Sequence, residues 1–107
     1  MSDLEITPLE MVEVLKASAP PRLLDIRQPW EFNVVKLEGG QLVTQDLVDE
    51  VLQNWPRDTP IVCYCHHGTR SLQATVFLRQ QGFTNVRSLR GGINAYALEV
   101  EPSLPRY

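Results

Sequence analysis

The chain contains little cysteine, no excess of basic residues and no long apolar run, and each shortage excludes a class of protein. Its two cysteines, Cys63 and Cys65, are too few for a disulfide scaffold and too close for an unstrained bridge within a strand, so we expect two reduced thiols. A net charge of -3 and a pI near 5.3 argue against a basic patch. We therefore expect no nucleic acid and no membrane among the partners.

Length and composition limit how many domains the 107 residues can form. They fit one domain over 1–107, without a repeat, a low-complexity tract or a linker, and with a loose tail over 102–107. The first six residues are acidic and lack the basic and apolar regions of a secretion signal, so we expect a cytoplasmic protein. We expect it to work without a cofactor.

Short apolar runs alternate with helical patterns along the chain. The predicted strands cover 22–26, 42–43, 61–64 and 85–89. The predicted helices cover 8–17, a short turn at 29–32, a stretch through 47–52, a helix that opens at 71 and ends at Gly82, and a last helix over 93–100. Because crossovers between parallel strands are right-handed, this alternation predicts an α/β fold with a small parallel β-sheet flanked by helices on both faces. Ligands of such sheets bind at the carboxyl ends of the strands.

Cys65 follows one of these strands and stands just ahead of a predicted helix. The unpaired N–H groups and the dipole at a helix start favour an anion, so this position favours a reactive thiolate. Gly68 lets the loop backbone fold closely around a guest, and Arg70 adds a permanent cation with forked donors. The pattern predicts that Cys65 is a catalytic nucleophile for an anionic substrate.

Three ordered motifs resemble the rhodanese sulfurtransferases. The loop Cys65-x-x-Gly68-x-Arg70-Ser71 is similar to their active-site loop, residues 23–32 resemble the family segment Asp-Val-Arg-Glu-x-x-Glu-Tyr, and residues 89–96 resemble its Leu-x-Gly-Gly-x-x-x-Trp. Departures occur at Gln28, at Tyr96 and over 36–40, where many rhodaneses read His-Ile-x-Gly-Ala. The resemblance covers nearly the whole chain and implies a rhodanese-like fold.

The resemblance also implies a thiosulfate sulfurtransferase. The thiolate of Cys65 would take the outer sulfur of a small donor, thiosulfate or a persulfide, and pass it to cyanide, a thiol or a protein acceptor. Loop N–H groups would hold the sulfur anion, and Arg70 would orient the donor. The substrate-binding residues expected on this basis are His66, His67, Gly68, Thr69 and Arg70.

Other residues near the loop are expected to have structural roles, or roles that stay open. Asp25 and Arg27, at a strand end, are expected to form a buried pair that braces the loop, and Ser71 is expected to brace it as well. Cys63 is expected to be a small core residue, since free cysteine is among the most buried residue types. For His66 and His67, a hydrogen-bonding or proton-donating role and a solvent-facing specificity role are both open.

Three alternatives compete with sulfur transfer. Cysteine phosphatases and arsenate reductases of related fold place five residues between cysteine and arginine, whereas this chain has four, His66 to Thr69, and the smaller ring suits a single sulfur better. Metal binding by the segment 63–67 lacks a second cluster of cysteine or histidine, so we expect no metal. A non-catalytic binding domain would not need to retain Cys65.

Overall fold

A computed structural model describes residues 4–105, in which strands and helices alternate. The strands are β1 (Glu5–Ile6), β2 (Arg22–Asp25), β3 (Gly40–Leu42), β4 (Ile61–Tyr64) and β5 (Val86–Leu89). The helices are α1 (Pro8–Leu15), α2 (Pro29–Val34), α3 (Gln45–Asn54), α4 (Thr69–Gln80) and α5 (Gly92–Glu99). This order confirms the predicted α/β class.

The five described strands form one parallel sheet in the order β1-β5-β4-β2-β3. β4 lies at its centre, where Cys63 is in register with Leu24 of β2 and with Ser88 of β5. All four residues of β4 are buried, as an apolar, β-branched run predicts for a central strand. The carboxyl end of β4 is therefore flanked by the ends of β2 and β5.

Helices cover both faces of the sheet, as predicted. The core on the α1 and α5 side consists of Ile6, Met11, Leu23, Val35, Leu37, Val62, Tyr64, Leu89, Ile93 and Tyr96. The core on the α3 and α4 side consists of Leu24, Val51, Trp55, Ile61, Cys63, Leu78, Phe83 and Val86. The Cys63 side chain is fully buried in this second core, which confirms its predicted place.

The boundaries differ from the prediction in a few places. β1 was not predicted, because it has two residues and its pairing partner, β5, lies more than 80 positions away, with Glu5 opposite Ser88. The predicted start of α4 at position 71 is two residues late, since the left-handed Gly68 (φ 106°) caps a helix that begins at Thr69. α1 ends at Leu15 rather than at 17, although its predicted capping box of Thr7 and Glu10 is present.

The two ends of the chain are described only in part. Residues 1–3 and 106–107 lie outside the described residues, so the predictions of a missing secretion signal and of a loose tail stay predictions. Within the tail, Leu104 is partly buried against the core on the α1 and α5 side. Among residues 4–105, every helix is too short or too polar to cross a bilayer.

Candidate active site

Cys65 lies where the chain leaves the centre of the sheet and turns into α4. The N–H groups of Gly68 and Ser71 donate to its Sγ over 3.1 Å and 3.3 Å. Gly68 adopts φ 106°, a left-handed conformation that favours glycine, and this turn brings its N–H around toward the sulfur. The residue is only 1% exposed, so its sulfur lies at the bottom of the loop.

The turn between β5 and α5 holds this loop from outside. The N–H groups of Ile93 and Asn94 donate to the carbonyl oxygens of Cys65 and His66 over 2.8 Å and 3.1 Å. A Cβ atom on Gly92 would collide with both carbonyl oxygens, so the two backbones touch. Because the Cys65 and His66 carbonyls are engaged here, the loop is fixed with its N–H groups on the side of the sulfur.

Ser71 lies directly behind the sulfur. Its Oγ is 3.4 Å from the Sγ of Cys65 and donates to the carbonyl oxygen of Gly68 over 3.2 Å, a common bond for serine in a first helical turn. The same Oγ is 2.7 Å from the Oγ of Ser88 on β5. Ser71 thus contacts both the reactive atom and the loop.

Arg70 is held by a carboxylate that the sequence interpretation did not single out. Its Nη1 and Nη2 atoms donate to Oε1 and Oε2 of Glu31 over 2.9 Å and 3.0 Å. Glu31 is buried on α2, and its Oε1 also accepts from the N–H of Gln28 over 2.8 Å. The Arg70 side chain is 43% exposed, so the ion pair lies partly in solvent.

Asp25 and Arg27 form the buried ion pair that the sequence predicted. The Arg27 Nε and Nη2 atoms donate to the two carboxylate oxygens over 2.7 Å and 2.6 Å, and both side chains are fully buried. Nη2 also donates to the carbonyl oxygen of Val35 over 2.6 Å. The pair ties the end of β2 to the segment after α2, and its bracing of the Cys65 loop stays a prediction.

The rings of His66 and His67 stack at the mouth of the loop. Their centroids are 4.0 Å apart and the planes differ by 25°. Partial burial, followed by the neighbouring charge of His67, lowers the pKa of His66, while Glu31 acts in the opposite direction. The lowered pKa favours the neutral imidazole of His66, which can both donate and accept a hydrogen bond.

Cys63 has surroundings that keep its thiol protonated. Burial raises the pKa of Cys63 to about 12, and the nearby Cys65 acts in the same direction. Neither cysteine is part of a disulfide. Within residues 4–105, no group of three or more histidine, cysteine or acidic side chains is arranged to hold a metal ion.

A model of the rhodanese-like domain matches residues 8–99. This chain belongs to that family. A solved structure of the human single-domain sulfurtransferase TSTD1 covers 92% of the chain and 98% of its own length, with a TM-score of 0.77 at 21% identity. This structural similarity confirms the predicted rhodanese-like fold.

Curated relatives of this rhodanese-like domain carry sulfurtransferase names. The probable adenylyltransferase/sulfurtransferase MoeZ of Mycobacterium tuberculosis is 35% identical over 104 residues, which cover 95% of this chain and 26% of MoeZ. A sulfurtransferase of Allochromatium vinosum is 39% identical over 75 residues, which cover 70% of each protein. The chain thus spans about a quarter of the MoeZ protein and most of the Allochromatium relative.

The structure of this rhodanese-like domain brings most of the predicted site residues together. The residues gathered in one loop and its helix start are Cys65, His66, His67, Gly68, Thr69, Arg70 and Ser71. Sequence reasoning did not assign Glu31, Ser88 or Gly92, whose contacts with the loop depend on the fold. The sequence could have pointed to two of these residues, because Glu31 and Gly92 fall inside the family motifs over 23–32 and 89–96.

Proposed function

We propose that this rhodanese-like domain is a sulfurtransferase that carries sulfur as a persulfide on Cys65. The observation that carries the proposal is the pair of N–H groups, from Gly68 and Ser71, that donate to Sγ at the start of α4. Such donors stabilise a thiolate both as the attacking group and as the leaving group. The sulfurtransferase names of the relatives support the same chemistry.

The reaction would proceed in two balanced halves, with thiosulfate as the proposed donor. The Cys65 thiolate attacks the outer sulfur of thiosulfate, the S–S bond breaks, and sulfite leaves with the electron pair. An acceptor thiolate or cyanide then attacks the outer sulfur of the persulfide, and the Cys65 thiolate leaves with its electron pair. With cyanide the product is thiocyanate, and the enzyme returns to its starting state.

Two further backbone N–H groups of the loop could donate hydrogen bonds to the transferred sulfur. Within residues 4–105, the backbone N–H groups of His67 and Thr69 make no hydrogen bond to the protein. They are first-turn and loop donors of the kind that bind anions. We assign them, with the guanidinium of Arg70, to the outer sulfur and the anionic donor, and the imidazole of His66 to a hydrogen bond at the mouth of the loop.

The setting of the reaction is part of the same proposal. The acceptor would be a small thiol, cyanide or a protein thiol. Neither a nucleic acid nor a membrane would be among the partners. The chemistry needs Cys65 reduced, and thiols stay reduced in the cytosol, so we place the protein in the cytoplasm.

The test compares two cysteine variants, Cys65→Ser and Cys63→Ala. Sulfur transfer from thiosulfate to cyanide should be abolished in Cys65→Ser, because a serine hydroxyl lacks the acidity and polarisability of a thiol. Cys63→Ala should keep most of the activity, since that thiol is buried and protonated. Mass spectrometry after incubation with thiosulfate should find one extra sulfur on Cys65 in the wild type and in Cys63→Ala.

Three results would overturn the proposal. The first is substantial sulfur transfer by a folded Cys65→Ser protein. The second is a wild type that hydrolyses a small aryl phosphate well and fails with thiosulfate, which would favour a cysteine phosphatase despite the four-residue spacing between Cys65 and Arg70. A wild type that does neither would favour a binding domain.

A further inference from the structure

Two buried hydroxyl groups form a chain behind the sulfur of Cys65. Ser71 Oγ lies 3.4 Å from Sγ, and Ser88 Oγ, on β5, lies 2.7 Å from Ser71 Oγ. Both serines are fully buried. In the part of the chain that the structure describes, Ser71 is the only hydrogen-bond partner of the Ser88 hydroxyl. Sequence reasoning gave Ser88 no role beyond its place in a strand.

The direction of the hydrogen bond between the two hydroxyls follows from a count of the available donors and acceptors. Each hydroxyl donates one proton and accepts through two lone pairs. If Ser71 donated to Ser88, the Ser88 proton would be buried without an acceptor, which is costly. If Ser88 donates to Ser71, both protons are used, because the Ser71 proton can go to the Gly68 carbonyl or to the Cys65 sulfur.

We propose that Ser88 is a positioning residue that commits the Ser71 hydroxyl to donate toward Cys65. While Cys65 is a thiol, its S–H can donate to Ser71 Oγ, and the Ser71 proton stays on the Gly68 carbonyl. When Cys65 is a thiolate, the Ser71 proton turns to Sγ and forms a charge-assisted bond. Donation from Ser88 polarises the Ser71 O–H and strengthens that bond. This inference rests on the proposed function only in that the thiolate is the reacting species.

The charges around the sulfur are unaffected by a change at Ser88. The titratable and charged side chains near this end of the sheet are Cys63, Tyr64, His66, His67, the Arg70 and Glu31 pair, the Asp25 and Arg27 pair, and the Arg90 and Glu5 pair. A neutral substitution on β5 removes none of them. A change in the titration of Cys65 can therefore be traced to the hydrogen bond.

The test follows the thiolate of Cys65 directly in Ser88→Ala. Ultraviolet absorbance of the thiolate is recorded against pH, as the difference between each protein and the same protein carrying Cys65→Ser. The profile should move toward higher pH, so that the ratio of thiolate to thiol at a given pH falls about fivefold, the factor for one ordinary net hydrogen bond. Sulfur transfer should fall at the pH values where the thiolate is lost and recover as pH rises.

Two variants serve as controls. Ser88→Thr keeps the hydroxyl and should restore the wild-type profile. Thr75→Val removes another buried hydroxyl from α4, one that acts on the thiol of Cys63 and makes no hydrogen bond to Cys65, and should leave the Cys65 profile unchanged. Should Ser88→Ala fail to fold, Ser88→Val against Ser88→Thr gives the same contrast at nearly equal volume.

An unchanged thiolate profile in a folded Ser88→Ala protein would overturn the inference. An equal shift in Thr75→Val would also overturn it, because the effect would then come from a loosened core. The titration uses no sulfur donor, so it separates the two proposals. A shifted profile in a protein that transfers no sulfur would support the role of Ser88 and count against the sulfurtransferase.

Discussion

At the scale of single residues, Arg70 is a cation that is already paired before any anion binds. The bidentate contact with Glu31 fixes the plane of the guanidinium, while 43% of the side chain stays exposed. A fixed fork loses less entropy on binding an anion than a mobile one, because its orientation is settled beforehand. Under the proposed function, Glu31 would contribute to donor binding by holding Arg70.

Removal of Arg70 should weaken donor binding. Arg70→Ala should raise the KM for thiosulfate about tenfold, since a contact to a charged group is worth about 1.5–3 kcal/mol and this one is partly exposed. Arg70→Lys should recover part of the loss, without the forked geometry. Glu31→Gln should also raise KM, and the double variant Arg70→Ala with Glu31→Gln should have a KM no higher than that of Arg70→Ala alone. Steady-state kinetics of the four variants and the wild type measure these values.

The matched control for this series is Glu38→Gln, which neutralises an exposed carboxylate after α2. Its KM should equal that of the wild type. An Arg70→Ala protein with a normal KM would mean that the loop N–H groups bind the donor alone, and that Arg70 is a structural partner of Glu31.

Which residues could be predicted depended on how far along the chain their contacts reach. Cys65, Gly68, Arg70 and Ser71 fall within seven positions, so one local motif identified them. Glu31 is 39 positions from Arg70 and Ser88 is 17 positions from Ser71. No periodicity in the sequence reports such contacts, because the crossing of strands and helices creates them.

At the scale of elements, the candidate active site lies where two turns are in contact. One turn joins β4 to α4 and carries Cys65, and the other joins β5 to α5 and carries Gly92. The second turn has no reactive group, yet its backbone fills the space in which the first turn would otherwise relax. The geometry around the sulfur therefore depends on both.

A methyl group at Gly92 should separate these turns. Gly92→Ala should destabilise the fold by more than about 2 kcal/mol and reduce sulfur transfer at least tenfold, because the new Cβ meets the carbonyl oxygens of Cys65 and His66 at a positive φ. Urea unfolding and the sulfur-transfer assay, at a temperature where the variant is folded, measure the two effects.

Gly39→Ala is a close control, because Gly39 also has a positive φ and no atom lies within 4 Å of its Cβ position. It should cost about 1 kcal/mol from backbone strain alone and leave sulfur transfer unchanged. Equal effects of the two variants on activity would show that the contact between the turns does not shape the site.

The elements themselves were predicted unevenly. Every described helix was anticipated, because capping residues, prolines and apolar spacing are local signals, and the boundaries of β4 were predicted correctly. β1 was missed because two residues carry no readable alternation. The start of α4 was placed late because the left-handed turn at Gly68 is a feature of the loop, not of the helical pattern.

At the scale of the whole molecule, the buried Cys63 thiol couples stability to alkaline pH. Burial raises its pKa from 9.0 to about 12, so the folded protein keeps a proton that the unfolded chain releases above about 9. The folded state then holds more protons, and stability should fall as pH rises through this window, by on the order of 1.4 kcal/mol per pH unit.

Urea unfolding with a reducing agent, at about pH 8 and about pH 10, measures this loss, and Cys63→Ala is the control. The variant should lose less stability between the two pH values than the wild type. Some loss should persist, because burial also raises the pKa of Tyr64. Parallel losses in the two proteins would show that the Cys63 thiol is not the coupled group.

The pairing of β1 with β5 has a consequence for the order of folding. β1 leaves the ribosome first among the described strands, but it must wait for β5, its partner in the sheet, which is made last. β5 also supplies Ser88 and leads into the turn that fixes the Cys65 loop. A nascent chain that has emerged only as far as α4 therefore carries Cys65, the proposed nucleophile, without the contacts that position it. The site around Cys65 is then completed late in synthesis, after the longest-range contacts have formed.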